Sequence, residues 1–192
     1  MRLLLVRHPA PEIAKGVCYG QLDVPLHRNS EADILAVVDS VRCCRVAKVW
    51  SSPSSRCLIP AQAVAASTRA RLQVDERLQE LHFGEWEGLR WADVPRSELD
   101  RWAADPLGFA PPGGETGLAL QTRTSDLMRT IIEEAVGCAV ISHGGPLKIL
   151  HALACGATPD LLAPPPPFGG IIALTVGPHA GEQRQRDGFR DH

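Results

Sequence analysis

Long hydrophobic runs are missing from this chain. No stretch of its 192 residues approaches the ~18 consecutive apolar residues of a membrane-spanning helix, so no membrane partner is expected. The N-terminal run Leu3-Leu4-Leu5-Val6 stops at Arg7, too short for the apolar core of a secretory signal. An excess of either charge is also absent. The formal net charge is −2 and no long basic block occurs, which argues against a nucleic-acid partner. The six cysteines are scattered without a C-x-x-C pair, so they read as core or near-core thiols rather than a disulfide framework. A reduced, cytoplasmic protein is the expectation. Several hydrolase designs are missing too: no G-x-S-x-G elbow, no phosphate loop ending in Gly-Lys-Ser/Thr, and no Cys followed six positions later by Arg. The histidines show no H-E-x-x-H spacing, and no metal site is expected. There is no internal repeat.

What is present is ordinary in bulk and particular in pattern. Hydrophobic residues are 44% and charged residues 22%, the balance of a soluble domain large enough to bury a core without staples. Short apolar runs at Leu3–Arg7, Val46–Trp50, Cys138–Ser142 and Gly170–Val176 predict strands. Helical patterns near 30–42, 55–68, 117–136 and 146–155 lie between them, and the alternation predicts an α/β fold with a largely parallel sheet. One domain over residues 1–180 is expected, with a polar, frayed tail at 181–192. The segment 76–115, which holds Trp86, Trp91 and Trp102, reads as an excursion over the sheet. Pro164-Pro165-Pro166-Pro167 reads as a stiff connector.

Ligands of open α/β sheets bind outside the carboxyl ends of the strands. That rule gathers Arg7 and His8 after the first strand, Ser51-Ser52 and Arg56 after the second, and Ser142-His143 with Gly144-Gly145 after the third. Arginine is shaped to clasp phosphate, and histidine is a competent nucleophile toward phosphorus. Helix N-termini nearby favour anions. Taken singly, each residue has a bland reading: a satisfied strand-end histidine, a solvated arginine, a serine cap, a glycine turn. Their joint placement outlines a phosphate pocket.

These residues carry a resemblance. Leu4-Leu5-Val6-Arg7-His8, Ser51-Ser52-Pro53-Ser54-Ser55-Arg56-Cys57, the acid-bearing stretch Leu78 to Gly88 and Ile141-Ser142-His143-Gly144-Gly145 together resemble the histidine phosphatase superfamily, in its phosphoglycerate mutase-like branch. The implied fold is a three-layer sandwich around the central sheet. The implied catalytic set is His8, Glu80, His143, Arg7 and Arg56, with Gly20 and Gln21 joining Arg7, Arg56 and His143 in binding substrate. The implied chemistry is hydrolysis of a small-molecule phosphomonoester through a phosphohistidine on His8, which neighbouring arginines help keep neutral. Protonated His143 and the two arginines would hold the phosphate, Glu80 would act as acid then base, and no cofactor is implied. Gly16 to Leu26 and Pro112-Gly113-Gly114-Glu115 are similar to the α-ribazole phosphatase group of cobalamin synthesis.

Alternatives remain at this point. A mutase or a broad sugar phosphatase would use the same residues, and a catalytically silent phospho-ligand binder would keep the pocket. Glu85 and Glu87 are rival acids, more simply read as exposed charges beside Trp86. Trp91, Trp102 and Phe109 offer either a surface for the leaving group or a small satellite core. Pro9 removes an N–H that could have faced phosphate. Pro60 predicts a kink after Arg56, or a helix that begins near Pro60. Oligomeric state is not readable.

Overall fold

The computed structural model describes residues 1–177. The expected tail at 181–192 and the last residues of the expected domain lie outside them. A single five-stranded sheet is built from β1 (Arg2–Arg7), β2 (Lys48–Ser51), β3 (Arg71–Val74), β4 (Cys138–Ser142) and β5 (Ile171–Thr175). Its spatial order is β3-β2-β4-β1-β5, with β1 to β4 mutually parallel and β5 antiparallel to β1. Helices α1 (Glu31–Arg42) and α2 (Ser55–Thr68) cover one face. Helices α4 (Gly117–Glu134) and α5 (Gly144–Ala154) cover the other, and the short α3 (Arg96–Ala104) belongs to the excursion. The three-layer α/β architecture is as expected.

Alternation along the central strands explains the layering. Leu3 and Leu5 pack with Val140, Leu127 and Leu147, while Leu4 and Val6 pack with Val41, Val49, Ala61 and Ile141. A strand buried on both faces needs apolar residues at every position, which is why β1 and β4 read as unbroken runs. Helix α4 buries Leu120, Thr124, Leu127, Met128 and Ile131, one stripe at three- and four-residue spacing. Its first turn is closed by Thr116, whose hydroxyl accepts the Ala119 N–H at 3.1 Å.

Two elements depart from expectation. β3 has the mixed sequence Arg71-Leu72-Gln73-Val74 and lies at the sheet edge, so no apolar run announces it. α3 buries no residue fully and therefore has no strong hydrophobic stripe to read. Pro60 does not begin the helix, one of the two readings offered above. Helix α2 already begins at Ser55 and carries Pro60 as a buried interior residue. Proline at this position gives up one backbone bond to Arg56 without ending the helix.

The excursion forms its own small core around Cys18, Trp86 and Val94, with Trp91, Trp102 and Phe109 packed against it. The indole N–H of Trp86 donates to Glu98 at 2.9 Å. Expected as an exposed charge, Glu87 is instead the staple between this core and the 9–27 loop. Its carboxylate accepts N–H groups from Gln21 (2.9 Å), Leu22 (2.8 Å) and Phe83 (2.9 Å). Gly20, at φ +35°, packs so closely that an added Cβ would lie 2.2 Å from Glu87 Oε1.

Glu87→Ala strands three backbone donors, so it should lower stability in urea unfolding by about 2–4 kcal/mol. Glu85→Ala, at an exposed neighbour, should change it by no more than about 0.5 kcal/mol. Equal effects of the two substitutions would show that Glu87 is not the staple.

Candidate active site

Because β1, β2 and β4 run parallel, their carboxyl ends meet at one rim. Pairing continues past the strands: His8 N–H donates to Ser142 O at 3.1 Å, and Ser52 N–H to Ile141 O at 3.1 Å. This register sets His8 beside His143, with ring centroids 5.2 Å apart and nearly edge to face. Both histidines are 1% exposed.

The ring of His8 has a defined tautomer. Its Nδ1 lies 2.6 Å from the carbonyl oxygen of Pro9, which can only accept, so Nδ1 carries the proton and Nε2 carries the lone pair. Pro9 thus has no N–H to offer but supplies the carbonyl that orients the His8 ring. Burial, then the charges of Arg56 and Arg7, lower His8 from its ordinary 6.5 to about 3, while the Pro9 carbonyl opposes the shift. The arginines help keep His8 neutral as expected, but burial is the larger cause. His143 is lowered well below its ordinary value by burial first and by Arg56 next. Burial and the neighbouring cations thus favour its neutral form in the ligand-free pocket. Its Nε2 lies 2.8 Å from Ser52 Oγ and 3.5 Å from Cys57 Sγ.

Arg56 leaves the first turn of α2 fully buried. It donates from Nη1 to Leu22 O and from Nη2 to Gly20 O, each at 2.7 Å. Arg7 donates from Nη1 to Pro166 O at 2.6 Å, and its guanidinium lies 3.9 Å from the Phe168 ring centroid. Neither arginine has a carboxylate partner among the described residues. A buried and a half-buried cation without a carboxylate partner, beside two neutral imidazoles, make a pocket that favours an anion.

Glu80 reaches the same rim from the turn after β3. Ser142 Oγ donates to Leu78 O at 2.7 Å, and Arg123 donates to the carbonyls of Arg77, Gln79 and Glu80. The Glu80 carboxylate accepts N–H groups from Leu81 (2.9 Å) and Gly145 (3.1 Å). An added Cβ on Gly145 would lie 2.3 Å from Glu80 Oε1, so glycine is required where α5 starts. A cavity of about 150 Å³ opens beside Glu80 and Arg7.

Structure and expectation therefore agree on the gathering of Arg7, His8, Arg56, Glu80 and His143. Gly20 and Gln21 contribute indirectly in this state: the Gly20 carbonyl holds Arg56, and Gln21 Nε2 donates to Glu80 O at 3.0 Å. Trp91 and Phe109 belong to the satellite core, whereas Trp102 also lines the cavity. Arg123, Lys148 and Phe168 were not foreseen. Arg123 sits mid-helix without a motif, and Phe168 ends a proline run that reads as a linker. Among the described residues, no group of three or more His, Cys, Asp or Glu side chains is arranged to hold a metal. No helix among them is long and apolar enough to cross a membrane.

Comparison with known proteins matches the chain to relatives of the same layout. A bifunctional protein of Mycobacterium tuberculosis is 32% identical over 168 residues, covering 84% of this chain but only 46% of that protein. The glucosyl-3-phosphoglycerate phosphatase of Mycobacterium tuberculosis is 28% identical over 166 residues, 79% of this chain and 74% of its own length. The α-ribazole phosphatase of Shigella flexneri superposes with a TM-score of 0.83 over 92% of this chain and 91% of that one, at 21% identity, a likeness of fold. The family model for branch 1 of the histidine phosphatases matches residues 3–175, which takes in both histidines, both arginines and Glu80, and so the chain belongs to the histidine phosphatase superfamily.

Proposed function

We propose that this chain hydrolyses small-molecule phosphomonoesters through a phosphohistidine on His8. One observation carries the reading. His8 presents a buried Nε2 lone pair, fixed by its Nδ1–H bond to Pro9, beside two guanidiniums that lack a carboxylate partner. Nε2 attacks phosphorus, the P–O bond to the alcohol breaks, and Glu80 protonates the departing oxygen. Water then attacks the phosphohistidine, Glu80 takes its proton, and His8 and inorganic phosphate are released. Arg7, Arg56 and an N–H of His143 hold the non-bridging oxygens and offset their charge, so the protein's own side chains supply the electrostatics and the step uses no metal. A small molecule, rather than a nucleic acid or a membrane, is the proposed partner, acting in the cytoplasm.

α-Ribazole 5′-phosphate enters as a substrate through the resemblance of 16–26 and 112–115. In the structure those segments also do internal work: Gly20 holds Arg56, and Gly114 packs against the carbonyl of His82. It therefore belongs in a substrate screen beside phosphoglycerates and sugar phosphates, with phosphate release scored against isomerised ester to separate hydrolase from mutase.

His8→Ala should lower kcat/KM by at least about a thousandfold and abolish trapping of labelled phosphate on the protein. Turnover within tenfold of the wild type would sink the phosphohistidine route. Glu80→Gln should slow alkyl phosphates by about 10²–10⁴ but p-nitrophenyl phosphate by less than about tenfold, since that leaving group needs no proton. Equal losses on both would assign Glu80 a positioning role.

Two neutral buried histidines also set a pH dependence of stability. Below pH 6.5 the unfolded chain binds protons that the folded chain refuses, so stability falls as pH drops from about 6.5 toward 3. For His8 alone the loss at pH 5 is about 2 kcal/mol. Urea midpoints at pH 8 and pH 5 measure it, and His8→Gln should remove about one proton from the slope. A flat profile would mean that the folded protein carries charged histidines.

A further inference from the structure

The acid that protonates the leaving oxygen must line the space where the leaving group sits. Glu80 lines the cavity of about 150 Å³, together with Arg7 and Lys148, with apolar walls from Phe83, Trp102, Leu120, Leu161 and Pro165. A second cavity, of about 320 Å³, lies beside Phe168 and Tyr19 but is not lined by Glu80, so it does not meet that requirement.

Lys148 is fixed in place. Its ammonium donates to the carbonyls of Leu161 (2.5 Å) and Ala163 (3.0 Å). An ammonium has three donors, so one is left beyond these two carbonyls, and Lys148 lines both this cavity and a neighbouring one of about 410 Å³ that Glu80 does not line. Burial lowers Lys148 below its ordinary value, while the charges of Glu80 and Asp160 oppose the shift. A partly buried ammonium is screened less by water and binds an anion more strongly than a fully solvated one. When Glu80 carries the proton it will donate, the cavity holds two cations and no anion. The phosphate draws on Arg7, and Lys148 remains.

We propose that Lys148 is the specificity-determining residue of this site and reads a carboxylate on the leaving alcohol. The preferred substrates are then phosphomonoesters of short hydroxy acids with a hydrocarbon body. The single remaining donor suits one carboxylate oxygen, and the apolar walls disfavour polyhydroxylated alcohols. A cavity of about 150 Å³ is the size that accommodates benzene, so the alcohol is compact. This inference rests on the phosphatase reading above.

A matched pair of esters tests it. Wild-type protein should hydrolyse 3-phosphooxypropanoate with kcat/KM at least about tenfold above propyl phosphate, chiefly through KM, as fits one charge-assisted bond. Lys148→Met should bring that ratio to within about threefold of unity, and Lys148→Arg, which keeps the charge, should retain the preference. If Lys148 merely ties down the 161–163 turn, both esters lose equally and the ratio survives, which overturns the inference. A wild-type ratio near unity overturns it without any variant. Turnover of p-nitrophenyl phosphate with no hydrolysis of either alkyl ester overturns this inference alone. Failure on all three removes the phosphatase reading as well.

Discussion

A guanidinium buried without a carboxylate governs much of this molecule. Arg56 is fully enclosed, and its guanidinium donates to the carbonyls of Gly20 and Leu22 and faces the Tyr19 ring. Those carbonyls have to be brought to it, and several otherwise unrelated features do so. Asp23 accepts from the backbone and hydroxyl of Ser55 at the start of α2, anchoring the loop to the helix that carries Arg56. Glu87 accepts the N–H groups of Gln21 and Leu22, and Gly20 is small enough to let that carboxylate approach. An ion pair would have neutralised the arginine and emptied the site of its purpose. Neutral carbonyls orient the cation and leave its charge available.

The same economy of charge extends to the histidines. Both are surrounded by cations and enclosed, and both are neutral as a result. Neutrality suits a nucleophile, which needs a lone pair, and it limits the positive charge that the fold must tolerate before an anion binds. The hydrogen bond from His8 to the neighbouring proline carbonyl leaves the lone pair on Nε2. A carboxylate in that position would have raised the basicity of the ring and attracted the charge of Arg56.

The sheet and the charged rim were legible because buried strands and phosphate chemistry both restrict residue choice. Leu3 to Val6 and Cys138 to Ile141 are apolar at every position because both faces are covered, and the residues that follow them are the ones gathered at the rim. β3 was illegible because an edge strand tolerates Arg71 and Gln73, and α3 because it buries nothing completely. Pro60 misled in one respect: a proline that breaks an isolated helix is tolerated where tertiary packing encloses it. Glu87 misled in another, since a carboxylate beside exposed residues gives no sign in sequence that three backbone donors converge on it. Lys148 and Phe168 depend on where the 161–170 segment folds back, a long-range event with no local pattern.

That segment has a polarity of its own. Pro164 to Pro167 contribute carbonyls and no N–H groups. Toward the rim it presents Pro166 O to Arg7, and just before the prolines Leu161 O and Ala163 O to Lys148. The prolines form an acceptor-only wall that attracts cations and offers a phosphate oxygen no main-chain donor. One short segment therefore sets where two cations of this rim sit, through neutral carbonyls that fix their positions without cancelling either charge.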